Sequence, residues 1–202
     1  SAARNAISAG FDGVEIHGAN GYIFEQFING GLNTRTDQYG GSIENRLRFL
    51  LETVDLMAQA IGSQRIGLRI APFGRLSAMP SFADEKETWL AAARALSSRK
   101  LAYVHLSDQD SLCGNLLNRE FLREFRDAYQ GTLIFAGSLT KEVAEAMLSE
   151  GLIDLAAFGR PFISNPDLVE RFTKGAPLAP FDRATFYGGD DRGYVDYPLH
   201  HG

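Results

Sequence analysis

Arg65-Ile66-Gly67-Leu68-Arg69-Ile70 is a short, almost continuous apolar run, and its reading decides the fold. Upstream lies a second run, Gly13-Val14-Glu15-Ile16-His17. Between the two, Leu47, Leu50, Leu51, Val54, Met57 and Ile61 recur at helical spacing, and Ser42 is placed to cap the start of that helix. Residues 102–106, 132–136 and 155–159 are further runs rich in apolar side chains. None shows the alternation of a half-exposed sheet, so the pattern predicts buried parallel strands in βα alternation. Asp84, with Glu87 at capping-box spacing, predicts a helix burying Trp89, Leu90, Ala93 and Leu96. Asn165-Pro166 predicts another helix start, because proline at the first helical position gives up an N–H that would lack a partner.

Repeated βα units make either a doubly wound sheet or a (β/α)8 TIM barrel, and the period alone does not choose between them. Five strands do not close an eight-stranded barrel, which usually takes roughly 250 residues. Residues 1–9 read as the end of a helix leading into the first strand. The expectation is a fragment, a cut chain or one half of a split protein.

Composition narrows the function classes. A chain of 202 residues with 45% hydrophobic side chains can bury a substantial core, and a formal charge of -5 without a polybasic run argues against nucleic acid as a partner. No apolar stretch is long enough to span a bilayer and no signal-peptide pattern opens the chain, so a cytoplasmic setting is expected. The single cysteine, Cys113, has no internal disulfide partner and no metal-ligand spacing around it, and reads as a structural or surface thiol. Walker A, GxGxxG and zinc signatures are absent from the sequence.

Three clusters carry chemistry. His17, Asn20 and Tyr22 follow directly on the first strand, at what would be the C-terminal face of a barrel, where active sites lie. Arg69 sits inside an apolar strand, where its charge costs several kcal/mol unless paired. It belongs either to an ion pair with an acidic neighbour or to an anionic cofactor atom. Gly137-Ser138 and Gly159-Arg160 end the last two strands; they either close those strands or hold a phosphate, as the loops after the last two strands of many barrels do. Arg35, Asp37, Glu44, Asn45 and Arg46 around the Gly40-Gly41 turn read as scaffolding and helix-start charges.

The chain also resembles a known family. Ala9-Gly10-Phe11-Asp12-Gly13-Val14-Glu15-Ile16-His17, Asn33-Thr34-Arg35-Thr36-Asp37-Gln38-Tyr39-Gly40-Gly41-Ser42-Ile43-Glu44-Asn45-Arg46, Thr185-Phe186-Tyr187 and Gly193-Tyr194-Val195-Asp196-Tyr197-Pro198 match, in order, the pattern of the Old Yellow Enzymes, FMN-dependent ene-reductases built on the TIM barrel. The resemblance covers essentially the whole chain. It implies that residues 1–202 are the C-terminal part of a single FMN-binding barrel domain, about its last five βα units.

By the same resemblance, His17 and Asn20 would hydrogen-bond the carbonyl or nitro oxygen of an electron-poor alkene, and Tyr22 would protonate the alkene. A His replaces Asn20 in some members, so this chain looks like the His/Asn subtype. Arg69 would face the N1/O2 edge of FMN, Gly137, Ser138, Gly159 and Arg160 would hold its phosphate, and Tyr187 would stand near flavin or substrate. Ser138 occupies a place where the family pattern has Gly or Asn. NADPH or NADH would be the hydride donor. The family's first three strands, which contact the flavin, have no counterpart in this sequence, implying a companion N-terminal barrel fragment. The alternatives are an inactive half-barrel scaffold that hides its edges by self-association into a homo-oligomer, and a phosphate-binding aldolase or isomerase barrel, which lacks a well-placed Lys or Glu base.

Overall fold

A computed structural model describes residues 1–108, 117–188 and 190–200. Cys113 lies outside them. The element order is α1 (Ala2–Ser8), β1 (Val14–Gly18), α2 (Ile23–Ile28), α3 (Ile43–Ile61), β2 (Ile66–Ile70), α4 (Glu85–Ser97), β3 (Tyr103–Ser107), α5 (Arg119–Ala128), β4 (Leu133–Ala136), α6 (Lys141–Ser149), β5 (Leu155–Ala157), α7 (Arg160–Ser164) and α8 (Leu168–Lys174). The five strands pair in parallel in the order in which they occur in the chain. A doubly wound sheet reverses its strand order at a switch point, whereas a barrel adds each strand beside the last. The monotonic order therefore resolves the ambiguity left by the periodicity: this is an arc of a (β/α)8 barrel. Among the described residues, no helix is long and apolar enough to cross a membrane.

The outer face of the arc holds the core. Ile16, Leu68, Val104, Leu106, Leu133 and Phe135 pack beneath Leu50 and Val54 of α3, Trp89 and Leu96 of α4 and Phe125 of α5, all in one buried cluster. Each large side chain fully buried there contributes about 1.5–3 kcal/mol. The inner face differs from expectation. β1 alternates between accessible and buried positions, and β4 does so too. The reason is that Glu15, His17, Arg69 and His105 share the inner face, as the register His17–Arg69–His105 requires, and among the described residues no helix covers that side.

The α3 expectation holds, with the Ser42 hydroxyl accepting from the Asn45 N–H. Two helix starts do not follow the sequence rules. Asp84 flanks α4 but makes no capping bond, because its carboxylate is taken by Arg46. Asn165 and Pro166 precede rather than open α8, whose flanking residue is Asp167. The Asn165 side chain is instead buried, donating to the Pro161 and Ala179 carbonyls and accepting from the Ala179 N–H.

Arg46 ties the first half of the arc together. Its buried guanidinium donates to the Ile28 and Gly41 carbonyls, to both carboxylate oxygens of Asp84 at 2.8 and 2.9 Å, and to Thr88 Oγ1. Thus α2, the Gly40-Gly41 turn, α3 and α4 meet on one cation. Arg46→Ala is expected to destabilise the protein by about 3 kcal/mol, since it orphans several buried acceptors at once. Urea unfolding checks this, with Arg35→Ala as the control. Arg35 pairs with Asp37 at the surface, and its loss should leave the midpoint nearly unchanged.

Candidate active site

The C-terminal ends of the five strands open into one cavity of about 470 Å³. Its wall includes Asn20 after β1, Arg69 on β2, Ser107 and Asp108 at the end of β3, Gly137 and Ser138 after β4, and Gly159 and Arg160 after β5. Of the residues singled out in the sequence, Asn20, Arg69, Gly137, Ser138, Gly159 and Arg160 therefore share a single space. His17 is in register with Arg69 on the same inner face, and its ring lies 5.2 Å from that of Tyr22. Tyr22 is more than half exposed. Tyr187 is not part of the cavity wall; it is 92% exposed, its ring set edge-on to Phe186. Phe181 of the same C-terminal segment lines the cavity instead.

The turn that carries Asn20 has an unusual backbone. Asn20 and Gly21 both take left-handed conformations, with φ of 62° and 76°. A Cβ on Gly21 would stand 2.6 Å from the Ser77 side chain, so glycine is needed there for packing as well as for conformation. The sequence signal was present in Asn20-Gly21, a pair that tolerates this region.

Arg69, expected inside an apolar strand, is only partly buried there. Its Nη2 donates to Ser107 Oγ at 2.8 Å, while its Nε is buried without a hydrogen-bond partner. Among the described residues, no carboxylate lies within ion-pair distance of it. The acid of the inner face that feels its charge, Glu15, is committed elsewhere: its Oε2 lies 3.0 Å from His105 Nδ1. A carboxylate only accepts, so the proton sits on Nδ1. That bond is the main cause holding the Glu15 carboxyl below its ordinary range; burial opposes it, and Tyr103 and Arg69 add smaller pulls in the same direction. Gly67 makes room for the arrangement, because a Cβ there would collide with the Tyr103 ring.

The two strand-end turns are joined by Arg160, whose Nη2 donates to Ser138 Oγ at 2.9 Å. Space is open around Gly159 where a Cβ would stand, so packing within the chain gives no reason for glycine at that position. Two guanidinium groups, an unpartnered buried N–H and an unfilled glycine position make a site suited to an anion. FMN, with its phosphate and electron-rich ring edge, fits that donor set. Ser107 and Asp108 were missed in the sequence. Ser107 could have been found by counting two residues on from His105 to the same face, whereas Asp108 is engaged across a gap in sequence, accepting the Leu117 N–H.

With this geometry in hand, the comparisons are decisive about kinship. The sequence matches the NADH:flavin oxidoreductase / NADH oxidase family over residues 1–179. The chain belongs to the Old Yellow Enzyme family. Among its relatives, a putative 12-oxophytodienoate reductase 11 of Oryza sativa subsp. japonica is 45% identical over 98% of this chain and 54% of its own length. The 12-oxophytodienoate reductase 2 of Arabidopsis thaliana is 42% identical over 98% of this chain and 53% of its own. The solved structure of morphinone reductase is 44% identical and superposes with a TM-score of 0.93, covering 98% of this chain and 53% of that one. Another structure of morphinone reductase, in complex with tetrahydroNAD, superposes with a TM-score of 0.91. The chain thus spans about half the length of the Old Yellow Enzyme relatives it matches. Membership in an oxidoreductase family also displaces the aldolase or isomerase alternative.

The Glu15–His105 pair generates a pH prediction. Because the folded Glu15 carboxyl lies below its ordinary value of 4.5, its contribution to stability is present above that value and is lost as the pH falls through the folded one. Glu15→Gln should therefore be less stable than the parent near neutral pH, and the gap should close in acid. Urea midpoints measured across that range check it; a gap independent of pH would contradict the assignment.

Proposed function

We propose that the assembled protein is an FMN-dependent ene-reductase, taking hydride from NADPH or NADH and reducing the C=C bond of an alkene activated by a carbonyl or nitro group. The observation that carries this reading is Arg69: a partly buried strand cation that meets no carboxylate among the described residues, opening on a cavity whose far wall is built from two strand-end turns joined by Arg160. Kinship supports it, since the family is one of flavin oxidoreductases and the relatives are named as reductases of 12-oxophytodienoate and morphinone.

Bound FMN would supply the two-electron chemistry, accepting hydride from the nicotinamide and delivering it to the alkene. The chain's own residues would do the rest. Gly137, Ser138, Gly159 and Arg160 would hold the phosphate, with Arg160 serving both turns. Arg69 would set its charge against the electron-rich ring edge. His17 and Asn20 would donate to the substrate oxygen, where negative charge develops, a contribution of a few kcal/mol in total. Tyr22 would donate its phenolic proton to the alkene carbon beside the activating group. Tyr187 would reach the site only if its segment closes over the cavity mouth, because it is fully turned to solvent.

Residues 1–202 are read as the C-terminal part of one FMN-binding barrel domain. We infer that turnover needs the remaining strands of the barrel, supplied in the same polypeptide or by a companion chain. Parallel strands are normally covered on both faces, and the inner face and both edge strands of this arc are uncovered.

Tyr22→Phe in the assembled flavoprotein separates the two half-reactions. Reduction of the flavin by NADPH, followed by loss of its yellow absorbance, should continue at close to the parent rate. Reoxidation by an enone should slow by about 100-fold or more. Equal loss in both halves would remove Tyr22 from the role of proton donor.

A further inference from the structure

The turn that presents Asn20 and Tyr22 is braced from below by a side chain that the reaction itself does not call for. Gly21 donates its N–H to Glu25 Oε2 at 2.7 Å, and Glu25 is only 3% exposed. Two other contacts hold the same turn: the Ser77 hydroxyl donates to the Asn20 carbonyl at 3.0 Å, and the Gln26 amide donates to the Gly21 carbonyl at 2.6 Å. Glu25 is the third residue of α2, the position from which a capping-box carboxylate reaches back to the residue flanking the helix. Here it reaches one residue further. The Tyr22 N–H points to the Ala19 carbonyl, and Glu25 takes Gly21 instead. The bond therefore holds the turn rather than finishing the helix.

We propose that Glu25 is a positioning residue for the Asn20-Gly21-Tyr22 turn, its protonation state setting how firmly the Asn20 amide and the Tyr22 hydroxyl are presented to the alkene. The charges that act on Glu25 come from two other elements. Glu85 of α4 is nearby and is itself held by Arg75 of the segment after β2, in a two-pronged pair with both contacts at 2.8 Å. Burial is the main cause that pushes the Glu25 carboxyl up to about 7, with Glu85 adding to the rise and the Gly21 N–H and Arg75 opposing it. The group thus changes charge near neutrality. Because burial raises the Glu25 carboxyl above its ordinary value of 4.5, an opened turn that returns this group to water is favoured once it ionises, so the brace loosens as the pH rises through that point. A purely structural bond to Gly21 could be made equally by glutamine, which is neutral at every pH.

This inference rests on the proposed reaction for its consequence, yet the brace can be tested apart from turnover. Amide hydrogen exchange over residues 19–24 of the purified protein, corrected for the intrinsic pH dependence of exchange, should show protection that falls between pH 6 and pH 8 in the parent, by on the order of 10-fold. Glu25→Gln should keep intermediate protection with no pH dependence, and Glu25→Leu should lose it. In turnover, the ratio of the alkene-reduction rate to the flavin-reduction rate should fall through neutrality in the parent and stay flat in Glu25→Gln. Should Glu25→Leu fail to fold, the Gln variant alone decides the matter. Protection that follows the same pH course in the parent and in Glu25→Gln would overturn the proposal. The expected exchange pattern in a protein that reduces no alkene would uphold the brace and defeat the reaction. A rate ratio unchanged by Glu25→Gln in an active protein would defeat the positioning role and leave the reaction standing.

Discussion

A guanidinium set in a parallel strand that meets no carboxylate among the described residues is the constraint around which the rest of this structure is arranged. The group is partly buried, its Nε is shielded from water without a partner, and the Ser107 hydroxyl alone does not satisfy it. Registry is what puts the charge there. Because β1 to β5 pair in chain order, His17, Arg69 and His105 are forced onto one inner face, while the aliphatic residues between them are driven outward under the helices. The acid that could have neutralised Arg69 is diverted, as Glu15 is held by His105. The positive charge is left for something that enters from the cavity.

The same logic of paired and unpaired cations separates scaffold from site. Arg46, Arg75 and Arg171 are satisfied by carboxylates and carbonyls, and each ties elements together. Arg69 and Arg160 hold only serine hydroxyls among their described partners, and both line the cavity. A serine is a weak match for a guanidinium. It orients the group without using up its charge, which is the condition under which a site binds an anion and keeps its shape before the anion arrives.

Much of this was legible in the residue order because it depends on local pattern. The α3 apolar stripe with its Ser42 cap, the strand runs, and the glycine and arginine at the last two strand ends all declare themselves within a few positions. What failed did so through partners far away in sequence. Asp84 has the spacing of a capping residue, but Arg46 claims it from 38 positions away. Asn165 stands before a proline as a helix start would, yet its side chain is needed to satisfy the Ala179 backbone. Glu15 and His105 are 90 positions apart, and nothing local announces the pair. Glu25 looked like an ordinary acidic residue in a first helical turn. Its burial, at 3% exposure, is a tertiary property that the local residue order does not declare.

The central claim is that the charge of Arg69 serves the reduced flavin. The most direct test is the two-electron reduction potential of FMN bound to the assembled protein, compared between the parent and Arg69→Met, which keeps the bulk of the side chain and removes its charge. The account predicts a more negative potential in the variant, by on the order of tens of millivolts, because the anionic reduced ring would lose a positive charge set against it. An unchanged potential with FMN still bound would contradict it.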